Sequence, residues 1–401
     1  MAFHWQYVVF SRSFQIPHPD SFMNSFITRF GRTGIYKVLM FGNPSAIVTT
    51  PETCKRVLTD DDGFKPGWPI STVELIGMKS FVGISHGEHK RLRRLTASPV
   101  NGHEAFSESP RIMETLEREY TALNYGVRAM AINLPGFAYH RALKARKSLV
   151  AILQSIVDER RNQSKLGEKL GKKKDMMDQL LSVEDENGKK LKDGEIINII
   201  LLMYLNAGHE SSGHTMMWAT IFLQEHPEFL EKAKAEQEWI VKKRPPTQKG
   251  LNLKEIREME YLNKVIDETL RVITFSLTVF REAQKDVNIN GYTIPKGWKV
   301  LVWFRSVHLD PEIYPNPKEF NPSRWDNFTP KAGSFLPFGG GSSLCPGNDL
   351  AKLEIAIFLH HFLLNYRVER LNPKCLLMYL PHSRPKDNCL ARLRKSSSSS
   401  M

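Results

Sequence analysis

The chain has 401 residues, longer than the usual single core, so either several domains or one large fold is allowed. Its net charge of +13 and pI near 9.4 raise the question of nucleic acid, but the basic residues are scattered and mixed with acids, which argues against such a face. Four cysteines, Cys54, Cys345, Cys375 and Cys389, have no paired spacing, which excludes a disulfide framework and points to a reducing compartment.

Nothing ahead of Phe26 amounts to the roughly eighteen apolar residues of a membrane span, so the sequence predicts no N-terminal anchor. Strand-like alternation covers Tyr36 to Thr49. The run Gly87-Glu88-His89-Lys90-Arg91-Leu92-Arg93-Arg94 reads as a helix with a basic face, solvated at Lys90 and Arg91. Helical periodicity dominates from Ile112 to Val272, broken by polar connectors at Arg160 to Lys174, Ser182 to Gly194 and Arg244 to Gly250. Within that span the apolar stretch Met130 to Phe137 is suited to lying on a membrane surface.

One long, largely buried helix is predicted from about Glu195 to Gln224, opening with the apolar run Ile196 to Leu205. Its centre is polar: Ala207-Gly208-His209-Glu210-Ser211-Ser212. Gly208 removes bulk where a ligand can approach, and Glu210 with Ser211 is suited to moving protons. The alternative is a helix whose hydroxyls back-bond to its own carbonyls. The next helix carries Leu253, Ile256, Met259, Leu262, Val265 and Ile266 at three- and four-residue intervals, which sets Glu268 and Arg271 on one face. Strand-like Thr278-Val279-Phe280 precedes Arg281, and a second strand-like region runs from Val287 to Phe304. Phe320-Asn321-Pro322-Ser323-Arg324-Trp325 then brings another arginine, and a carboxylate bracketed by two guanidinium groups can lock a long loop against a helix.

Last comes Phe338-Gly339-Gly340-Gly341-Ser342-Ser343-Leu344-Cys345-Pro346-Gly347, a glycine-rich loop delivering one cysteine to the start of an apolar helix. A thiol there has its anionic form favoured by the helix dipole and loop amides. Gly341 lets the backbone lie flat against a planar partner, and Gly347 lets the helix approach closely. A single axial thiolate suits haem iron, whereas a lone cysteine beside glycines is otherwise a small buried residue. The low-complexity tail, residues 396–401, is expected to be disordered, leaving residues 1–395 as one domain.

In this order, and over nearly the whole chain, these motifs resemble those of the cytochrome P450 family. The resemblance implies a mainly α fold with small β-sheets, with haem b between the oxygen-activating helix and the cysteine loop. It implies Cys345 as the axial ligand of iron, Glu210 and Ser211 as the oxygen-activation and proton-delivery pair, and Glu268, Arg271 and Arg324 as a structural triad. His89, Arg93, Arg281, Phe338, Gly341 and Gly347 complete the haem site, with His89 where many members have tryptophan. Ser343 stands where relatives have arginine or histidine. By position, Trp68 to Ile84, Tyr204 to His209, Phe275 to Phe280 and Met378 to Pro381 line the substrate pocket. The implied partners are a small hydrophobic terpenoid, an acidic NADPH-dependent reductase docked on the basic face beside the cysteine, and the membrane surface. The implied location is the cytoplasmic face of the endoplasmic reticulum.

Among plant members, segments such as Met40-Phe41-Gly42-Asn43-Pro44, Asn133-Leu134-Pro135-Gly136-Phe137 and Thr274 to Arg281 resemble the ent-kaurenoic acid oxidases of gibberellin biosynthesis. That likeness implies successive oxidations of a diterpene acid. The alternatives are a triterpene (β-amyrin type) oxidase, a haem-binding protein without turnover, and a haem-thiolate enzyme that rearranges peroxides. Glu210 and Ser211 argue against the last. Where Phe106 meets Ser107, an internal helical segment carried by relatives is expected to be missing.

Overall fold

The computed structural model describes residues 19–40, 42–100, 109–127, 129–165, 175–202, 208–379 and 382–396. The expected gap at Phe106-Ser107, Ala207, Pro381, the residues ahead of 19 and the tail beyond 396 lie outside the described residues. The chain forms two compact units, residues 65–210 and residues 1–64 with 211–401.

In chain order the elements begin α1 (Pro19–Phe30), β1 (Ile35–Met40), β2 (Asn43–Val48), α2 (Pro51–Thr59), β3 (Phe64–Pro66), α3 (Ile70–Ile76) and α4 (His86–Val100). There follow α5 (Pro110–Val127), α6 (Ala138–Lys165), α7 (Met176–Ser182), α8 (Asp193–Ile200), α9 (His209–Glu225), α10 (Pro227–Lys242), α11 (Leu253–Arg257) and α12 (Glu260–Ile273). The rest is β4 (Thr278–Ala283), β5 (Val287–Ile289), β6 (Tyr292–Ile294), β7 (Lys299–Trp303), α13 (Phe304–His308), α14 (Asn348–Asn365), β8 (Tyr366–Arg370), β9 (Leu377–Met378), β10 (Arg384–Pro385) and β11 (Ala391–Lys395). Helices dominate and the sheets are small.

The unit of residues 65–210 is helical, and its core gathers Leu75, Leu92, Leu116, Leu149, Leu153, Met176, Leu180 and Ile196 from helices spaced along the chain. The other unit is built on a five-stranded sheet of order β1-β2-β7-β4-β3. In it β2 runs parallel to β7, pairing Ile47 with Leu301, and β4 antiparallel to β7, pairing Arg281 with Val300. Helix α2 starts where Thr50 and Thr53 cap each other and Pro51 fixes the first turn. A second core joins Leu223, Leu262, Val265, Ile266, Phe320, Ile355 and Leu359, from α9, α12, α14 and the segment carrying Phe320.

Three expectations need correction. The periodic stretch from Leu253 to Ile266 is two helices, α11 and α12, broken at Glu258-Met259. The break exposes the amides of Tyr261 and Leu262, which donate to the Glu236 carboxylate of α10 at 2.6 and 3.0 Å. The half-buried Glu236 carboxylate recovers part of its lost hydration from these amides, and burial still leaves its pKa raised. The predicted helix from Glu195 to Gln224 is also not one regular element. It is α8 and α9, with π-helical backbone at Leu201, Leu202 and Gly208. Strands, finally, are not confined to the two predicted regions. β3 and the four from β8 to β11 lie outside them; the latter are two to five residues long and mostly solvent-facing, so the brief alternation in Tyr366–Arg370 and Ala391–Lys395 is too short to mark a strand. Among the described residues no helix is long and apolar enough to cross a membrane.

Candidate active site

The cysteine loop runs from Phe338 to the first turn of α14. The Cys345 amide donates to the Phe338 carbonyl at 2.9 Å and the Leu344 amide to Gly341 at 3.1 Å, closing a short 3-10 turn over Gly341–Ser343. Cys345 is half-buried and outside any disulfide, two residues ahead of the Gly347 cap rather than in the helix itself. Gly341 has φ +65°, and a Cβ there would lie 2.0 Å from the Leu58 carbonyl oxygen. The backbone of α2 by itself demands glycine at 341. At Gly347, by contrast, no described atom beyond its own chain neighbours lies within 4 Å of where a Cβ would point, so no protein contact shown there demands glycine. Phe335, Phe338, Leu344, Asn348 and Lys352 line a cavity of about 240 Å³ beside the loop.

Arg281 projects from β4 and is 5% exposed, yet its Nε has no hydrogen-bond partner among the described residues. Burial pulls its pKa down, and the Asp61 carboxylate only partly compensates. Asp61 in turn accepts from Ser342 of the cysteine loop at 2.6 Å. A buried cation with an orphaned N–H fits an acidic group such as a haem propionate, and a half-buried cysteine outside any disulfide is a donor that suits iron, so the residues present suit that cofactor.

In the other unit, His89 of α4 is 6% exposed and meets Phe81 edge-on at 5.4 Å; Arg93 is half-buried on the same helix. Lys90 is exposed, as expected. Arg91 is not. It donates to Asp185 at 2.7 Å and also pairs with Glu88 and Glu195. Three carboxylates outcompete water for that guanidinium, so the solvated reading fails for Arg91.

Glu210 and Ser211 are half-buried in the first turn of α9, directly after the π-helical residue Gly208. Such local unwinding is frequent at functional sites. The Ser211 carbonyl accepts from Thr215 Oγ1 at 2.8 Å, so back-bonding occurs one turn below the pair. On the same stripe, His214 Nε2 lies 2.8 Å from His382 Nε2 and Trp218 Nε1 donates to the Ser383 carbonyl at 2.8 Å. Phe275 stacks on His382 at 4.8 Å. The sequence reading missed the histidine pair; its only signal was His214 four residues after Glu210.

Glu268, Arg271 and Arg324 are brought together. Arg271 makes a bidentate pair with Glu268 at 2.8 and 2.7 Å, and Arg324 Nε reaches Glu268 Oε1 at 3.3 Å. The Trp325 indole and the Asn321 amide complete the carboxylate's partners at 3.0 and 3.1 Å. The pair on one helix face is thus wholly buried, with Glu268 and Arg271 both 0% exposed. The guanidinium groups then hold the loop: Arg271 donates to the carbonyls of His308, Pro317 and Glu319, and Arg324 to Pro315 and Asn316.

The cytochrome P450 family profile matches residues 100–383. Ent-kaurenoic acid oxidase 1 of Arabidopsis thaliana is 65% identical over 96% of this chain and 87% of its own length. Beta-amyrin 11-oxidase of Glycyrrhiza uralensis is 48% identical over 97% and 88%. The retinoic acid-bound cyanobacterial CYP120A1 superposes with a TM-score of 0.80 over 94% of this chain and 95% of its own, at 23% identity. The Arabidopsis alignment runs over 429 positions, yet 96% of 401 residues is only about 385, so about 44 positions of that relative have no counterpart here.

Proposed function

Because the chain belongs to the cytochrome P450 family, we propose that it is a haem-thiolate monooxygenase that oxidises ent-kaurenoic acid toward a gibberellin precursor. One observation carries the substrate: identity is 65% to a relative named for that acid and 48% to one named for β-amyrin.

Haem held through a cysteine thiolate would supply the chemistry of O–O bond cleavage. Cys345 would hold its iron. Arg281, with its orphaned Nε, would take a propionate; for His89 and Arg93 of α4 a haem role rests on the family resemblance alone. Phe338 closes the loop on the Cys345 amide, Gly341 lets that loop pass Leu58, and Gly347 leaves room beside it. Glu210 and Ser211 would serve to hold and pass protons at the head of α9. Glu268 with Arg271 and Arg324 fixes the loop that leads to the cysteine. Electrons come from NADPH through a flavoprotein reductase, and the working place is the cytoplasmic face of the endoplasmic reticulum membrane. Met130, Leu134 and Phe137, all exposed, offer it an apolar contact.

A second reading, haem binding without turnover, draws on the roughly 44 positions that the relative has and this chain lacks. An assay with reductase and NADPH, offering ent-kaurenoic acid and β-amyrin together and resolving products by mass, separates the readings. Oxidised diterpene acid is expected. Turnover of the triterpene alone contradicts the substrate, and no turnover despite full haem content favours the second reading.

A further inference from the structure

Lys352 of α14 sits where a charge can act on the cysteine loop. The cavity of about 240 Å³ is walled by Phe338, Gly339 and Leu344 of that loop and by Asn348, Asp349 and Lys352 from the first two turns of α14. A void of that volume is about 8 Å across, a range over which one charge is felt by another in a partly wet site. Phe338 is also the residue whose carbonyl takes the Cys345 amide at 2.9 Å, so the loop wall of the cavity is the part that holds the cysteine. All of these residues belong to the unit that contains residues 211–401.

The ammonium is held in place. Lys352 Nζ lies 2.6 Å from Asp267 Oδ1, an atom shut off from water on α12, one residue before Glu268 of the triad. Burial raises the Asp267 pKa and Lys352 opposes the rise. Lys352 lines the cavity and Asp267 does not, so of the two charges the ammonium is the nearer to the loop. Asp349, exposed in the first turn of α14, adds an opposing carboxylate to the same cavity. With side chains 37% and 24% exposed, the pair of Lys352 and Asp267 is worth little to folding.

We propose that Lys352 sets how readily an iron held by Cys345 accepts an electron, with Asp267 as the group that positions the ammonium. Reduction adds one negative charge to the centre and breaks no bond, so a nearby cation favours the reduced form and a nearby carboxylate opposes it. This rests on the haem-thiolate reading above and adds the charges that tune it. Both residues act through Cys345.

The test is a redox titration of the haem-loaded full chain with dithionite and mediator dyes, followed by the haem absorption. Lys352→Gln should lower the midpoint potential, while Asp267→Asn and Asp349→Asn should each raise it. The expected size is about two- to tenfold in the ratio of reduced to oxidised chain at a fixed potential, or roughly 20–60 mV. Lys352→Arg, which keeps the charge, should hold the unaltered value, and added salt should shrink every shift because Lys352 is partly in water. A merely structural role would move the three neutralising variants the same way, together with the melting temperature. Shifts of one sign across them overturn the inference and leave the haem-thiolate reading intact, and so does Asp349→Asn without an upward shift, a variant whose exposed position lets it fold whatever the other two do. An unaltered chain whose reduced carbon monoxide complex lacks the red-shifted band overturns both.

Discussion

Glu268 has no exposed surface and accepts from five donors, two on Arg271 and one each on Arg324, Trp325 and the Asn321 amide. Replacing it with glutamine leaves two guanidinium groups without their carboxylate. Breaking a buried pair in that way costs about 3–5 kcal/mol, whereas an exposed pair is worth about 0–1. The expected outcome for Glu268→Gln is a fall of about 3 kcal/mol or more in urea-measured stability; a loss below about 1 kcal/mol would falsify the locking role. The sequence made the pairing of Glu268 with Arg271 legible through three-residue spacing on a helix, but not its burial. Burial depends on Phe320 and Tyr314 arriving from a distant segment: Arg271 lies 4.9 Å over the Tyr314 ring.

At the scale of elements, His308 ties three pieces together. Its Nδ1 meets Thr274 Oγ1 at 2.9 Å, at the left-handed C-cap of α12, and its Nε2 accepts from the Leu336 amide at 2.8 Å. Only the neutral ring protonated on Nδ1 satisfies both, because Nε2 must accept. Burial, with Arg271 and Arg305 nearby, lowers its pKa to about 3 from the ordinary 6.5. Below pH 6.5 the unfolded chain therefore takes up a proton that the folded chain refuses. Stability falls as pH drops from 6.5 toward 3, by up to about 1.4 kcal/mol per pH unit, and is unaffected by this group above that window. Urea titrations between pH 7 and pH 5 should show this slope, and His308→Gln should flatten it by about one proton. An unchanged slope in the variant would remove His308 from the acid response. His360, lowered to about 4 chiefly by burial, adds to the same slope and remains in the variant. At this scale the sequence revealed β1, β2, α9 and α12 through their periodicity. It missed the break between α11 and α12, because Glu236 caps α12 from another helix and a local pattern carries no trace of that.

For the whole molecule the open matter is the shorter chain. Removing a packed helix exposes its neighbours, and losses of several buried side chains rival the ~5–15 kcal/mol that holds a domain together. Haem binding stabilises only the folded state and offsets part of that. Inserting the relative's segment between Phe106 and Ser107 is thus expected to raise both haem content and melting temperature. Equal values in the two chains would show the segment to be dispensable. The family was readable from four motifs in order; the helical unit of residues 65–210 was not, because its apolar positions specify a core without specifying which helices share it.

The most direct measurement is the absorption of the reduced chain under carbon monoxide, with Cys345→Ser beside it. Thiolate ligation shifts the carbon monoxide band to the red, and an alcohol at neutral pH is too poor a donor to do so. The account predicts the red-shifted band in the unaltered chain and its loss in the variant; a band that survives in Cys345→Ser contradicts it.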